Sequence, residues 1–248
     1  MTKQDRSART RQKLIEAAAI VFDRRGYEAT TLSDIAGAAG TTKGAIYFHF
    51  RNKDDLAQII LAEQQQTEEN ALRPQPVKLQ ELVDSGLVFA ERLRTEPLVR
   101  ASVRLSLDQQ ATGIDRGGVF RAWREANLAI LEEARERDEL RCHVDLLATA
   151  ELFVGTFAGL QHMSQLLSEY DDLPERVTVL LQALMPSIAV PPVLGVLDMC
   201  AQRGARLIAA AKPVGDREPV ADGEPVADGE PAVDEEPVVA DEPAAAQG

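Results

Sequence analysis

The chain has 248 residues, 45% hydrophobic and only 4% aromatic, enough to bury a substantial core lined mainly by aliphatic side chains. Cys142 and Cys200 stand in no metal-ligand spacing and read as reduced thiols, and no uncharged apolar run reaches the ~18 residues that a membrane-spanning helix needs. The formal net charge of −13 argues against a polyanionic partner only until it is divided along the chain.

Residues 1–53 carry ten Lys/Arg against five acids, or +5, whereas residues 213–248 carry eleven acids against one Arg, or −10. The stretch between them, 54–212, holds the remaining −8. Only the N-terminal piece therefore suits a nucleic acid. Met1–Lys13 is charged and polar, unlike a secretory leader, so the expectation is a soluble, cytoplasmic protein.

In chain order, the apolar residues recur with helical spacing and no run alternates like a strand. Leu14, Ala17, Ala18, Val21 and Phe22 line one helix face, and Gly26 is placed to stop that helix. Thr31 caps a short helix bearing Leu32, Ile35, Ala36 and Ala39, ended by Gly40, and a second short helix follows from 42 to 48. Asn52 caps a longer one, with Asp54 and Asp55 in its first turn, that runs through Leu56, Ile59 and Ile60 to Gln64. Beyond Pro74 and Pro76, helices are predicted at 78–95, 97–109, 118–138, 144–169, 173–187 and 192–211, with a glycine-rich loop over 108–118. From Arg217 to Asp241 a near-hexapeptide repeat of Pro, acid and small residues cannot bury enough apolar surface to order itself.

The two short helices make a helix-turn-helix with the first long one. Ile35, Ala36, Ala39 and Ile46 are spaced to pack them together, and Phe50 belongs to their core. Thr31, Thr41, Thr42, Lys43, Gly44, Tyr47, His49 and Lys53 are then the candidate DNA contacts. Lys43 can reach a guanine edge or a phosphate, and Gly44 lets the helix approach the groove floor. Tyr47, His49 and Lys53 offer donors to phosphate oxygens. His49 is not read as a metal ligand, because neither of the other two histidines lies in a matching cluster.

This segment resembles the DNA-binding domain of the TetR family, whose pattern closes on Gly-x-(Ile/Leu)-Tyr-x-(His/Tyr)-Phe, here Gly44 to Phe50. Arg104–Gln110, Asp115–Trp123, Val154–Gln161 and Pro186–Pro191 are similar to the γ-butyrolactone receptors, actinobacterial autoregulator receptors that repress antibiotic-biosynthesis and differentiation genes. The likeness covers about 1–212; the repeat tail departs from it. It implies an all-α, TetR-like fold: a helix-turn-helix domain over 1–53, a ligand-binding and dimerisation domain over 54–212, and a disordered acidic tail over 213–248. It also implies a homodimeric repressor on a pseudo-palindromic double-stranded operator, with a small lactone effector and no cofactor.

Gln64, Trp123 and Thr156 interrupt apolar helical stripes, as the few placed donors of a small-molecule site do. Each also has a plainer account, since a helical Thr can bond its own i−4 carbonyl and a lone Trp is commonly core. The resemblance favours the ligand reading for these three, with Leu87, Val88, Leu105, Val154 and Phe157 as lining. The helix carrying Gln64 would transmit the signal by pivoting, and the predicted helices 144–169 and 192–211 would dimerise. No nucleophile triad, phosphate loop or paired carboxylate site emerges, which argues against an enzyme. A TetR-type repressor answering a different ligand, such as an antibiotic, an intermediate or an acyl compound, or answering none, is the alternative.

Overall fold

A computed structural model of the chain describes residues 3–71, 73–107 and 116–211. The expected acidic tail, 213–248, lies outside them, as does most of the expected 108–118 loop. The described elements are helices: α1 (Lys3–Arg25), α2 (Leu32–Ala38), α3 (Lys43–His49), α4 (Lys53–Ala71), α5 (Lys78–Thr95), α6 (Pro97–Leu107), α7 (Arg116–Glu136), α8 (Leu146–Ser168), α9 (Leu173–Ile188), α10 (Pro191–Leu194) and α11 (Arg203–Ala211). No strand occurs among the described residues, only an isolated bridge between Leu140 and Ala189.

Two hydrophobic cores organise these helices. The first joins Leu14, Ile15, Ala18 and Phe22 of α1 to Ile35, Ile46 and Phe50, and takes in Leu56 and Ile60 of α4. Ala101 and Leu105 of α6 complete it. The second is built on α5, whose Leu79, Leu82, Val83, Leu87, Phe89 and Leu93 meet α7, α8 and α9. Val99 of α6 belongs to this second core. α6 is therefore shared: at helical spacing, Val99 faces one core while Ala101 and Leu105 face the other.

Local chemistry sets the helix ends. Gly26 takes φ +79° and donates its N–H to the Phe22 carbonyl at 2.9 Å, as the α1 stop at that glycine requires. Asn52 Oδ1 accepts from the Asp55 N–H at 2.8 Å and caps α4. α1 starts eleven residues before Leu14, because Arg, Ala, Gln and Lys are good helix formers and no Gly or Pro interrupts them.

The predicted helix 192–211 is broken. Gln80, from α5, captures the backbone at Asp198 from both sides: its Oε1 accepts the Asp198 N–H at 2.8 Å and its Nε2 donates to the Asp198 carbonyl at 3.1 Å. α11 then packs back on α5. Arg203 forms a forked pair with Asp84 (2.5 and 3.0 Å), and a methyl on Gly204 would stand 2.2 Å from the Leu87 carbonyl oxygen. Val193, Leu194 and Leu197 likewise pack on the second core. The segment is thus held against its own chain, and the continuous helix expected over 192–211 is corrected to α10, an intervening turn and α11. Large apolar side chains stand exposed on α8 and α9, at Leu152, Met163, Leu166 and Val179, and at Val196 after α10.

Candidate nucleic-acid interface and aromatic cluster

The turn between α2 and α3 is a Schellman motif. Gly40, at φ +62°, donates to Gly37 O at 3.1 Å and Thr41 N–H donates to Ala36 O at 2.9 Å. Upstream, Thr31 and Asp34 form a reciprocal capping box: Thr31 Oγ1 accepts the Asp34 N–H at 3.2 Å and Asp34 Oδ2 accepts the Thr31 N–H at 2.9 Å. The Thr31 hydrogen bonds, with Arg25 nearby, hold the Asp34 carboxyl below its ordinary range.

These devices present α3 with one side buried and one side open. Ile46 is buried, while Thr42, Lys43, Gly44, Tyr47 and Phe48 are exposed. Thr42 caps α3 by accepting the Ala45 N–H at 3.3 Å. Four predicted contacts, Thr42, Lys43, Gly44 and Tyr47, thus share one surface. The other four are engaged differently. The Thr31 hydroxyl is occupied by Asp34, and Thr41 is half-buried with its Oγ1 3.5 Å from Ala36 O. His49 is half-buried between the rings of Phe48 (5.0 Å, edge-on) and Phe50 (6.1 Å). Lys53 donates to the Tyr27 carbonyl at 2.8 Å and sits 4.1 Å over that ring, a cation–π contact that ties α4 to the loop after α1. Sequence reasoning missed Phe48. The signal was present, since position 48 lies nearly opposite Ile46 on a helical wheel.

In the second core, Trp123 of α7 makes edge-on contacts with Phe89 (4.3 Å, 78°) and Phe157 (5.4 Å, 80°), and Phe89 meets Phe157 at 5.6 Å. Phe89 was not anticipated, because it stands 34 positions before Trp123 with no periodic relation to it. Below the rings, Asn127 is buried; its Nδ2 donates to the Trp123 carbonyl at 2.8 Å and its Oδ1 lies 3.5 Å from Ser85 Oγ. Leu87 and Phe157 belong to this core, and Val88 and Val154 are also buried. Thr156 is half-buried, between the buried face of α8 and its open one. The structure does not bring Leu105 to this cluster; it is buried in the first core, where α6 meets α1. The Gln64 side chain lies outside the described residues. Among the described residues, no group of three or more His, Cys, Asp or Glu could hold a metal ion, and no helix is long and apolar enough to cross a membrane.

A capped helix-turn-helix displaying a polar and basic face, joined through a shared helix to a second core with an aromatic cluster, defines a DNA-binding regulator. Comparison with known proteins agrees. Residues 14–59 match the family model described as bacterial regulatory proteins, tetR family. The chain is 37% identical over 232 residues to the A-factor receptor protein of Streptomyces griseus, covering 87% of this chain and 82% of that one. It is similar to TylP, a TetR regulator from Streptomyces fradiae (40% identity, TM-score 0.72, 84% of this chain and 100% of that one). A γ-butyrolactone receptor described as ArpA-like follows the same course (28% identity, TM-score 0.61, 83% and 97%). The chain belongs to the TetR family and is a DNA-binding transcriptional repressor, in the branch that contains the A-factor receptor.

Proposed function

We propose that this repressor binds a pseudo-palindromic double-stranded operator as a homodimer in the cytoplasm, and that a small lactone of the γ-butyrolactone or butenolide type releases it. The observation that carries the reading is the Phe89–Trp123–Phe157 cluster, apolar and aromatic in a chain otherwise poor in aromatics, with the Asn127 amide bonded to the Trp123 carbonyl and Thr156 adjacent to Phe157 in the chain. The likeness to the A-factor receptor and to a γ-butyrolactone receptor supports a lactone as the occupant.

The second copy would cover the open faces of α8 and α9. Leu152, Met163 and Leu166 are 57%, 43% and 71% exposed, and Val179 of α9 is 65% exposed. Gly155 and Gly159, one turn apart among them, have open space where a side chain would be. A helix pair of this kind self-associates by interdigitating across a two-fold axis. Two recognition helices would then face half-sites about 34 Å apart or a multiple of it, so a small pivot loses one of them.

α6 supplies a route for that pivot. It contributes to both cores, packs on α4, and lies beside the α5 helix that carries Phe89. A ligand that favours one placement of α6 changes operator affinity by its differential affinity for the two placements, typically about 1–3 kcal/mol.

The test is a gel shift of the full chain on an operator selected from random duplexes, titrated with γ-butyrolactones and butenolides. The expected result is a specific shift that a lactone dissolves and that Trp123→Ala retains in its presence. A shift indifferent to every lactone keeps the repressor and overturns the effector.

A further inference from the structure

Phe48 is the most exposed large hydrophobic side chain among the described residues, at 80%, and it stands on the DNA-facing helix. Leaving a phenyl ring in water is unfavourable, so a partner that covers it gains from doing so. The ring does not stand loose, because the half-buried His49 braces it edge-on at 5.0 Å and 86°.

The surface beside it is shaped by what is missing. Helical side chains lean back toward the preceding turn, which for Phe48 is the turn of Gly44. A methyl on Gly44 would meet only Thr42 Oγ1, at 3.9 Å, so the helix carries a shallow notch there, floored by backbone and one turn before Phe48. A phenyl ring offers neither donor nor acceptor. Among the groups that base edges display in the major groove, the one it suits is the C5-methyl of thymine. A duplex is favoured over a second copy of the chain as the cover, because residues 1–53 carry +5 (ten Lys/Arg against five acids) and would repel one another.

We propose that Phe48 is a base-reading residue, and that it seats a thymine C5-methyl in the notch over Gly44. The proposal rests on the reading that α3 enters the major groove. It adds a sequence preference that Lys43 and Tyr47, as polar contacts, do not provide.

The experiment replaces each thymine of the selected operator, one at a time, by deoxyuridine, which removes the methyl and keeps every hydrogen-bonding group. At one position or more in each half-site, wild-type affinity should fall about three- to fivefold, the effect of one methyl leaving an apolar contact. The same replacement should leave Phe48→Ala unchanged, while Phe48→Leu retains part of the discrimination. Circular dichroism shows that both variants are folded. If no replacement matters, or if it matters equally in Phe48→Ala, the proposal is overturned. Loss of self-association in Phe48→Ala with its thymine response intact would assign the ring to a contact between copies and overturn it as well. Guanine N7 methylation tests the groove separately. Interference at specific guanines with silent uridines removes Phe48 alone, and interference nowhere removes the groove reading together with it.

Discussion

Arg100 of α6 donates through Nε to Asp23 Oδ2 of α1 at 2.8 Å, with both side chains more than four-fifths buried. The same guanidinium donates through Nη1 to the Leu93 and Arg94 carbonyls at 3.0 and 3.1 Å, the open C-terminal end of α5. One side chain thus ties together a helix of the DNA-reading core, the shared helix, and the helix that carries Phe89. Arg104, one turn on, donates to the Asp23 carbonyl. Arg100→Ala should lower the unfolding free energy by about 1–3 kcal/mol, because it strands a partly buried carboxylate and two helix-end carbonyls. Urea titration at fixed protein concentration reads this as a lower midpoint at unchanged slope. Arg100→Lys should recover only part of it, since a lysine cannot fork between a carboxylate and two carbonyls.

Gly204 permits α11 to approach the Leu87 carbonyl of α5 more closely than any side chain would allow. Gly204→Ala forces the helices apart, and the strain should outweigh the helix propensity gained, for a net loss of about 1–3 kcal/mol. Limited proteolysis should cut the variant between 195 and 203 faster than wild type. Equal cleavage would show that α11 moves aside freely.

The α8 face admits a cleaner separation of folding from assembly. Leu152 and Leu166 are exposed within the single chain, so Leu152→Lys with Leu166→Lys should leave the helical circular dichroism spectrum unchanged. Sedimentation should then give a monomer where the wild type gives a dimer, with operator affinity reduced by at least about tenfold through loss of the second half-site. A dimeric double variant would remove this face as the interface.

Acid sensitivity is expected at the end of α8. Arg176, with the Ser164 and Ser168 hydroxyls, holds the Asp172 carboxyl well below its usual 3.8. A depressed carboxylate stabilises the fold above its unfolded pKa, and that contribution disappears as the pH falls through the folded value. Asp172→Asn should therefore be less stable than wild type at neutral pH. The two unfolding free energies should converge as the pH is taken below about 4. A constant difference down to acid pH would show that Asp172 acts only as a neutral hydrogen-bond acceptor.

Much of the fold was legible because local chemistry writes it. The stop at Gly26, the caps at Thr31 and Asn52, and the helix 78–95 are each set by residues within a turn or two of one another. The break after Leu194 was not, because its cause, Gln80, lies 118 residues away in sequence. The site divides in the same manner. Lys43, Gly44 and Tyr47 fall on the open face by helical periodicity alone. The withdrawal of Lys53 to the Tyr27 carbonyl depends on a loop 26 residues upstream, and the partnership of Phe89 with Trp123 depends on how α5 and α7 cross. Leu105 kept its predicted burial and changed its core, since an apolar stripe reports that a face is covered and not by what.

The sharing of α6 sets a limit on recombination. A chimera joining residues 1–53 to a foreign sensor would carry off Phe22, Ile35 and Ile46 but leave Ala101, Leu105, Leu56 and Ile60 against a strange partner. The heritable module is accordingly larger than the segment that touches DNA. A functional graft would have to move the inward faces of α4 and α6 together with the reader, and related repressors that exchange operators would be expected to change at these positions in concert.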